Sequence, residues 1–299
     1  MKLIKSIMKK AISLCVLFSF LSLNAQWKTN YGKEDFFVEH DAKRLSWGYF
    51  VGLNQFDFKI TPRYDYGTDR SNVVSEKQNF PFTNPATYPK EKGNAAINEN
   101  GNFLVTVDSK MGFSAGLMGR LKVNENIDLW LQPGIHFTER TLHFNNIKVG
   151  DAYPILKYTE EGDQPSRDVY TVTEDALERN IKSSYVDIPF VVEFHGNRWF
   201  NTRPYVQAGL GYAINLQAQE NNTDDNYGGI FRMKTHNFNW QAEMGINIYF
   251  RRFKLTPSVK GMFFFNDELV PDNAGTPNIW ANTMSSLKTR AFVFSLKFE

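Results

Sequence analysis

The sequence has almost no cysteine and no long hydrophobic segment. Its single cysteine, Cys15, lies within the first 25 residues, so a chain that loses this segment has no disulfide, thiolate metal site or cysteine nucleophile. The apolar run 11–23 is shorter than the ~20 residues that a membrane-spanning helix needs. The mean hydropathy of −0.42 excludes a helical membrane protein, and the formal charge of +2 favours no polyanionic partner such as nucleic acid.

The N terminus has the pattern of a Sec-type signal peptide. Four lysines precede the apolar run, and Ala25 before Gln26 marks a cleavage position. We expect residues 1–25 to be removed during export, residues 26–45 to form a periplasmic N-terminal segment, and residues 46–299 to form the folded domain. A retained membrane anchor is the alternative interpretation of the first segment.

Residues 238–266 contain two long stretches in which apolar and polar residues alternate, joined at Arg251 and Arg252. Side chains of a β-strand point alternately to its two faces, so each stretch predicts a strand with one apolar face. Strands of soluble proteins usually have ~5–6 residues, whereas a tilted strand needs ~9–11 to cross a bilayer. The pair is therefore typical of a hairpin in a transmembrane β-barrel.

The same alternation recurs along the whole chain. Short and long connections follow one another in turn, as in a barrel with short periplasmic turns and long surface loops. The sequence thus predicts an all-β fold: an eight-stranded antiparallel transmembrane β-barrel with long extracellular loops, located in the bacterial outer membrane and surrounded by its lipid. A soluble eight-stranded barrel is the main alternative, but it would need polar outward faces. The predicted strands are 46–58, 110–123, 127–144, 181–195, 202–219, 238–250, 253–265 and 287–298.

The alternation also indicates which charged side chains face the barrel interior. An eight-stranded barrel has room inside only for side chains, and buried charges must be paired. We expect these charges to form a structural network, and a path for protons or ions is the alternative role. The predicted members are Arg120, Lys122, Asp128, Asp187, Glu193, Glu243, Lys254 and Lys260.

Motifs for catalysis, cofactors or metals are missing from the sequence. The five histidines lack the HExxH spacing, and neither GxSxG nor a P-loop is present. We therefore expect neither an enzyme nor a cofactor. His136 and His143 leave a lipid-modifying enzyme open as a minor alternative, because either could pair with a serine or an acid in space.

Basic residues mark two of the predicted periplasmic turns. These are Arg198 in one turn and Arg251 and Arg252 in another. Such residues either anchor the barrel at lipid phosphates or dock a periplasmic partner.

Five segments resemble the PorT family of Bacteroidetes outer-membrane proteins, whose members are called SprT in gliding bacteria. The order of the segments and the Asp-Ile-Pro strand carry this resemblance, which covers roughly half of the chain. The segments are WGYFVGLNQFDFKI (47–60), SSYVDIPFVVEF (183–194), RPYVQAGLGYAINL (203–216), INIYFRRFKLTPSVKGMFFFN (246–266) and FSLKFE (294–299).

The resemblance implies a non-enzymatic component of the type IX protein secretion and gliding machinery. Under this hypothesis the barrel acts by docking to protein partners in a secretion translocon, and the resemblance supplies no catalytic residue. The alternative is a stand-alone structural or adhesive barrel of the OmpA-like or Ail-like kind, with ligand-binding surface loops.

Overall fold

A computed structural model describes residues 43–62, 105–145, 147–157, 166–222, 229–250, 252–272 and 279–299. The predicted signal peptide 1–25 and nearly all of the predicted periplasmic segment 26–45 lie outside the described residues. Among the described residues, no helix has the length and apolar character needed to cross a membrane.

Twelve β-strands and two short 3₁₀ helices make up the described secondary structure. The helices are Glu174–Leu177 and Ala281–Thr283. The strands are β1 (Leu45–Pro62), β2 (Val105–Ser109), β3 (Met111–Lys122), β4 (Ile127–Leu131), β5 (Gly134–Phe144), β6 (Ala152–Lys157), β7 (Ser166–Thr171), β8 (Glu178–His195), β9 (Thr202–Asn215), β10 (His236–Tyr249), β11 (Lys254–Phe264) and β12 (Met284–Phe298).

Ten of these strands form one closed antiparallel barrel. β1 pairs with β12 on one side and with β3 on the other, which closes the ring. β2 and β3 together form one wall segment, as do β4 and β5, so the wall has eight segments. The predicted eight-stranded antiparallel barrel is confirmed.

The two divided wall segments remain hydrogen-bonded to neighbouring strands across their interruptions. Pro133 lies between β4 and β5, and proline has no N–H to donate to a neighbouring strand. The Pro133 carbonyl still accepts a hydrogen bond from the Leu117 backbone N–H at 2.9 Å, so β3 and the divided segment stay joined. Lys110 separates β2 from β3, and its N–H bonds to the Glu139 carbonyl at 3.1 Å.

The outward face of the barrel is a belt of exposed apolar side chains. Trp47 is 85% exposed, and the other members follow the predicted period of two along their strands. In water such a surface would be unstable, and in a bilayer it contacts lipid. Further members are Leu53, Phe113, Leu117, Phe190, Phe194, Val206, Leu210, Phe238, Met244, Ile246, Phe292, Phe294 and Leu296.

In β1 the apolar residues change sides near Gln55, where the sequence predicts a bulge or the membrane edge. The strand shows no bulge there, because its pairing with β12 is continuous from Tyr49 to Thr61. Inward positions simply become apolar, as at Phe56 and Phe58, and outward positions become polar. The change therefore marks the height at which the wall leaves the lipid.

The extracellular end of the barrel is closed by a buried apolar cluster, which we call the extracellular cap. Strand ends and connecting segments both contribute to it, and Trp280 is fully buried at its centre. Its buried members are Phe58, Ile60, Val105, Leu142, Phe144, Ile147, Val172, Ala176, Ile181, Phe231, Met233, Ile279, Trp280, Met284 and Leu287.

Several boundaries differ from the sequence-based prediction, and two of the differences concern the connections between strands. The predicted loop 145–180 contains the β6–β7 hairpin and the 3₁₀ helix Glu174–Leu177. β9 ends at Asn215, four residues before the predicted end, because the chain turns at 216–217 and then joins the cap region.

Candidate functional site

The periplasmic end of the lumen holds a buried ion network centred on Glu299. Arg120 Nη2 lies 3.1 Å from Glu299 Oε1, and Lys254 pairs with the other carboxylate oxygen. Arg120 Nη1 also lies 3.4 Å from Asp128 Oδ2, and Ser46 donates a hydrogen bond to Glu299. Both cations therefore have a buried counter-charge, which offsets the cost of removing them from water.

A second cluster is centred on Glu243, one layer deeper in the lumen. Lys297 pairs with Glu243 Oε1, and Lys260 Nζ lies 3.8 Å from Oε2. Lys260 is the direct cross-strand neighbour of Glu243, since β10 and β11 pair in that register. The Tyr205 hydroxyl donates to the same carboxylate at 2.5 Å.

Two side-chain amides donate hydrogen bonds to the Asp187 carboxylate. Asn239 Nδ2 and Gln241 Nε2 donate to its two oxygens at 2.9 and 2.5 Å. Both donors lie on β10 and face the lumen, two residues apart, as the strand period requires. The carboxylate is thus satisfied by these two amides, and no cation of the described residues forms an ion pair with it.

Burial separates the eight residues predicted for the interior network into a group of seven and one exception. Seven are buried in the lumen, with exposed fractions between 1% and 5%. Lys122 is half-buried at the periplasmic rim, where β3 ends. The buried seven are Arg120, Asp128, Asp187, Glu193, Glu243, Lys254 and Lys260.

Glu299 and His195 are titratable members of these networks that the sequence did not predict. His195 Nε2 lies 2.8 Å from Asp128 Oδ2, and His195 Nδ1 lies 3.4 Å from Glu193 Oε1. His195 is in phase with Glu193 along β8, so the alternation itself carried the signal. Glu299 lies one residue beyond β12, where strand alternation no longer predicts direction.

A serine and a histidine do lie within hydrogen-bond distance inside the barrel. Ser114 Oγ and His136 Nδ1 are 2.8 Å apart. In a nucleophilic pair, a third group orients the histidine. Here Asn54 Nδ2 donates to Ser114 Oγ at 2.7 Å instead, and Ser114 and His136 are at most 1% exposed. The arrangement satisfies buried polar groups and keeps the hydroxyl out of a substrate's reach.

His143 lies at the extracellular rim. Its Nε2 is 3.0 Å from Asp108 Oδ2, and its Nδ1 is 3.0 Å from Glu178 Oε1. Both carboxylates are largely exposed to solvent, and no serine contacts this ring among the contacts of the described residues. The cluster joins β2, β5 and β8 at their ends.

Another polar cluster lies below the extracellular cap and includes Glu268, which belongs to the connection between β11 and β12. Tyr185 donates to Glu268 Oε2 at 2.9 Å, and Arg140 Nη2 donates to the Tyr185 hydroxyl at 3.0 Å. Arg140 also donates to Thr289 Oγ1 at 3.0 Å. Burial raises the pKa of Glu268 to about 7, although the nearby Arg140 opposes this shift.

The periplasmic turn between β8 and β9 carries exposed aromatic residues. Trp199 and Phe200 are 67% and 64% exposed. Next to them, the Arg198 guanidinium lies 4.0 Å from the centroid of the Tyr249 ring. Arg252 is exposed in the neighbouring turn, and the predicted Arg251 lies outside the described residues.

The sequence matches the profile of a family described as outer membrane protein beta-barrel domain. The match spans residues 24–270, more than half of the 299-residue chain. The chain belongs to this family. Membership in the outer membrane protein beta-barrel domain family, together with the closed apolar-faced barrel, places the chain in the bacterial outer membrane.

Several solved outer-membrane proteins share similarity with this family member. OprG of Pseudomonas aeruginosa is 10% identical, with 84% of this chain and 93% of OprG covered and a TM-score of 0.36. Ail of Yersinia pestis, solved with the heparin analogue sucrose octasulfate, is 7% identical, with 86% and 99% covered and a TM-score of 0.31. Neisserial surface protein A is 8% identical, with 85% and 98% covered and a TM-score of 0.33. No curated protein sequence matches this chain at a significant level.

Proposed function

We propose that this outer-membrane barrel is a non-enzymatic component of the type IX protein secretion and gliding machinery of Bacteroidetes, acting by docking to other components. The resemblance of its strands to the PorT family motivates the choice of machine. The filled lumen supports a docking role, because buried ion clusters and the extracellular cap occupy the space through which a substrate would pass. The outer surfaces of the barrel then remain for interaction.

The observation that carries this proposal is the Trp199–Phe200 turn. Trp199 and Thr202 exchange two backbone hydrogen bonds, so Phe200 and Asn201 form a two-residue hairpin turn. Phe200 has a φ of 52°, in the left-handed region that glycine usually occupies in such turns. A bulky residue with positive φ is a genuine outlier, and outliers of this kind concentrate at functional sites.

The surroundings of the turn fit a protein partner. Exposed aromatic residues next to arginine are enriched at protein–protein contacts, where they bury large areas at low entropic cost. Phe250 and Phe253 stack at 4.9 Å in the neighbouring turn and are about 40% exposed. The two turns are linked, since the Tyr249 N–H donates to the Asn201 carbonyl at 2.8 Å. We infer that they form one periplasmic docking face.

Deletion and complementation test the proposed function. Deleting the gene should abolish secretion of cargo proteins that carry C-terminal sorting domains. A Trp199→Ala/Phe200→Gly variant should fail to restore secretion, although its abundance and folded migration in SDS gels stay normal. Trp47→Ala is the matched control, because Trp47 is an exposed tryptophan on the lipid-facing wall. It should restore secretion fully.

Phe200→Gly alone separates a docking role from a folding role. Removing the side chain relieves the left-handed strain, which costs roughly 1–2 kcal/mol per residue, so the barrel should become no less stable. The fraction of the Phe200→Gly variant that co-purifies with a large complex in mild detergent should nevertheless fall. Persistence of cargo secretion in the deletion strain would refute the secretion role altogether.

A stand-alone barrel with ligand-binding surface loops is the second candidate. The extracellular cap favours it, because the cap packs parts of the surface connections, including Val172, Phe231 and Ile279, into a defined structure. Isolation of the protein as a lone monomer, with normal secretion in the deletion strain, is the outcome expected under this candidate.

A further inference from the structure

We propose that Asp128, Glu193 and His195 form a binding site for a divalent transition-metal ion, such as Zn²⁺, at the periplasmic end of the lumen. One ligand atom from each of the three lies within 4.8 Å of the other two. All three residues are buried. Carboxylate oxygens and imidazole nitrogens are ligands that such ions take.

The barrel wall fixes these three side chains. Asp128 on β4 is the direct cross-strand partner of Glu193 on β8. His195 follows Glu193 by two residues and therefore faces the same side of the wall. The site is thus built on paired strands, which hold ligands more exactly in place than loops do.

The central observation is that two buried acceptor atoms face each other. Asp128 accepts a hydrogen bond from His195 Nε2 at 2.8 Å, and in the tautomer that carries its proton on Nε2 the lone pair is on Nδ1. His195 Nδ1 and Glu193 Oε1 are 3.4 Å apart, and both are buried without a hydrogen bond. Two lone pairs in this position repel each other unless a cation lies between them.

The spacing fits a metal ion. Ligand bonds to Zn²⁺ are ~2.0–2.2 Å long, which places two tetrahedral ligand atoms about 3.4 Å apart. Asp128, bonded to the far nitrogen, acts as the carboxylate that orients a metal-binding histidine.

The distribution of cations leaves Glu193 available for an ion. Arg120 and Lys254 pair with Glu299, and Lys260 and Lys297 pair with Glu243. Among the described residues, no lysine or arginine forms an ion pair with Glu193, whose one close titratable contact is the His195 ring. Lys254 and Lys297 act on Glu193 only from a distance, so a metal ion in direct contact would offset more of the cost of burying this carboxylate.

A small cavity adjoins the carboxylate. Its volume is about 10 Å³, and its lining includes Glu193, Glu299, Tyr205 and the two lysines Lys254 and Lys297. This is close to the space that one water molecule occupies. Metal sites commonly complete their coordination with a water, so the cavity provides room for that ligand.

Metal binding to the full-length mature barrel in detergent tests the proposal. After treatment with EDTA, the protein should bind one Zn²⁺ per chain in calorimetry and retain it through gel filtration. Glu193→Gln and His195→Gln should each weaken binding at least 10-fold, as expected for loss of a ligand. His143→Gln is the matched control, because His143 also lies between two carboxylates but has both nitrogens engaged. The His143→Gln variant should bind Zn²⁺ as tightly as the wild type.

Co²⁺ provides a readout that does not depend on any variant folding. The wild-type barrel should show the visible absorption of Co²⁺ held by nitrogen and oxygen ligands, and added Zn²⁺ should remove it. Zero stoichiometry for both ions would overturn the proposal, with a proton between His195 and Glu193 as the remaining explanation. Equal loss of binding in His143→Gln, or none in Glu193→Gln, would also overturn it, because the ion would then lie elsewhere.

Discussion

At the scale of single residues, the Glu243 carboxylate is the contacting negative charge for two buried lysines. Glu243→Gln keeps the side-chain shape but removes the carboxylate that contacts buried Lys260 and Lys297. Removing one member of a buried pair costs about 3–5 kcal/mol, so the free energy of unfolding should fall by that amount. Urea unfolding in detergent or in lipid vesicles measures this loss.

A surface pair provides the control for that measurement. Arg290 and Asp57 lie 2.6 Å apart on the outer wall and are partly exposed. Exposed pairs contribute ~0–1 kcal/mol, so Asp57→Asn should change stability little. Equal losses in the two variants would show that the lumen charges are not effectively buried.

Close approach between strands gives a second residue-scale prediction. A Cβ atom on Gly209 would lie 2.1 Å from the Phe190 carbonyl oxygen, whereas one on Gly119 would have its nearest neighbour at 4.0 Å. Gly209→Ala should therefore reduce the yield of folded barrel, because the backbone must shift, and Gly119→Ala should not. The folded fraction in SDS gels, run with and without heating, compares the two. Equal yields would contradict the close contact.

The face of the wall on which a side chain lies was largely predictable from the sequence, but the side chain with which it pairs in the lumen was not. The period of two identified Arg120, Asp128 and Glu243 as inward-facing. It could not show that Glu299 would pair with Arg120, because that contact depends on the register that closes β12 on β1. Pairing across a barrel is a property of register, which alternation alone does not specify.

At the scale of elements, the connection between β11 and β12 is tied to the lumen through Glu268. Its pKa is raised to about 7 by burial, so the folded protein binds this proton more tightly than the unfolded chain does. The resulting stability is fully present below the usual glutamate pKa of about 4.5 and is lost as pH rises through about 7. The wild type should thus lose roughly 3 kcal/mol at most over this window.

Glu268→Gln isolates this contribution. The amide keeps an acceptor for the Tyr185 hydroxyl but does not titrate in this range. The difference in unfolding free energy between the two proteins should change between pH 5 and pH 8, with the variant gaining relative to the wild type. A constant difference across that range would contradict the raised pKa.

Element boundaries were predictable where strands cross lipid and less so above it. The hairpin at 238–266 was recognisable because two faces alternate over its full length. The β6–β7 hairpin was not, since it belongs to an extracellular connection and faces no lipid that would impose alternation. The switch of apolar residues from the outward to the inward face of β1 near Gln55 has the same origin. The environment outside the wall changes there from lipid to water, while the strand continues.

At the scale of the whole molecule, closure of the barrel rests on the pairing of β1 with β12. Leu53 and Phe294 are directly paired and face outward. Since Cys15 is the single cysteine of the sequence, the double variant Leu53→Cys/Phe294→Cys should form a disulfide across this seam under mild oxidation. Mass spectrometry after proteolysis detects the cross-link.

The matched control shifts one partner by two residues. Leu53→Cys/Phe292→Cys places the cysteines diagonally, about 7–8 Å apart, so oxidation should be slow and incomplete. Faster cross-linking of this pair than of the direct pair would contradict the register and the closed ring.

Apolar side chains of this molecule lie in two different environments, the lipid around the wall and the water-excluded interior of the extracellular cap. Around the wall, apolar side chains such as Phe292 meet lipid, where water plays no part in holding them. Inside the cap, Trp280 and its neighbours are buried from water, as in a small globular protein. Urea weakens the second kind of burial directly. We therefore expect urea to open the cap while the wall remains inserted, so that unfolding of this barrel begins on the outside of the cell.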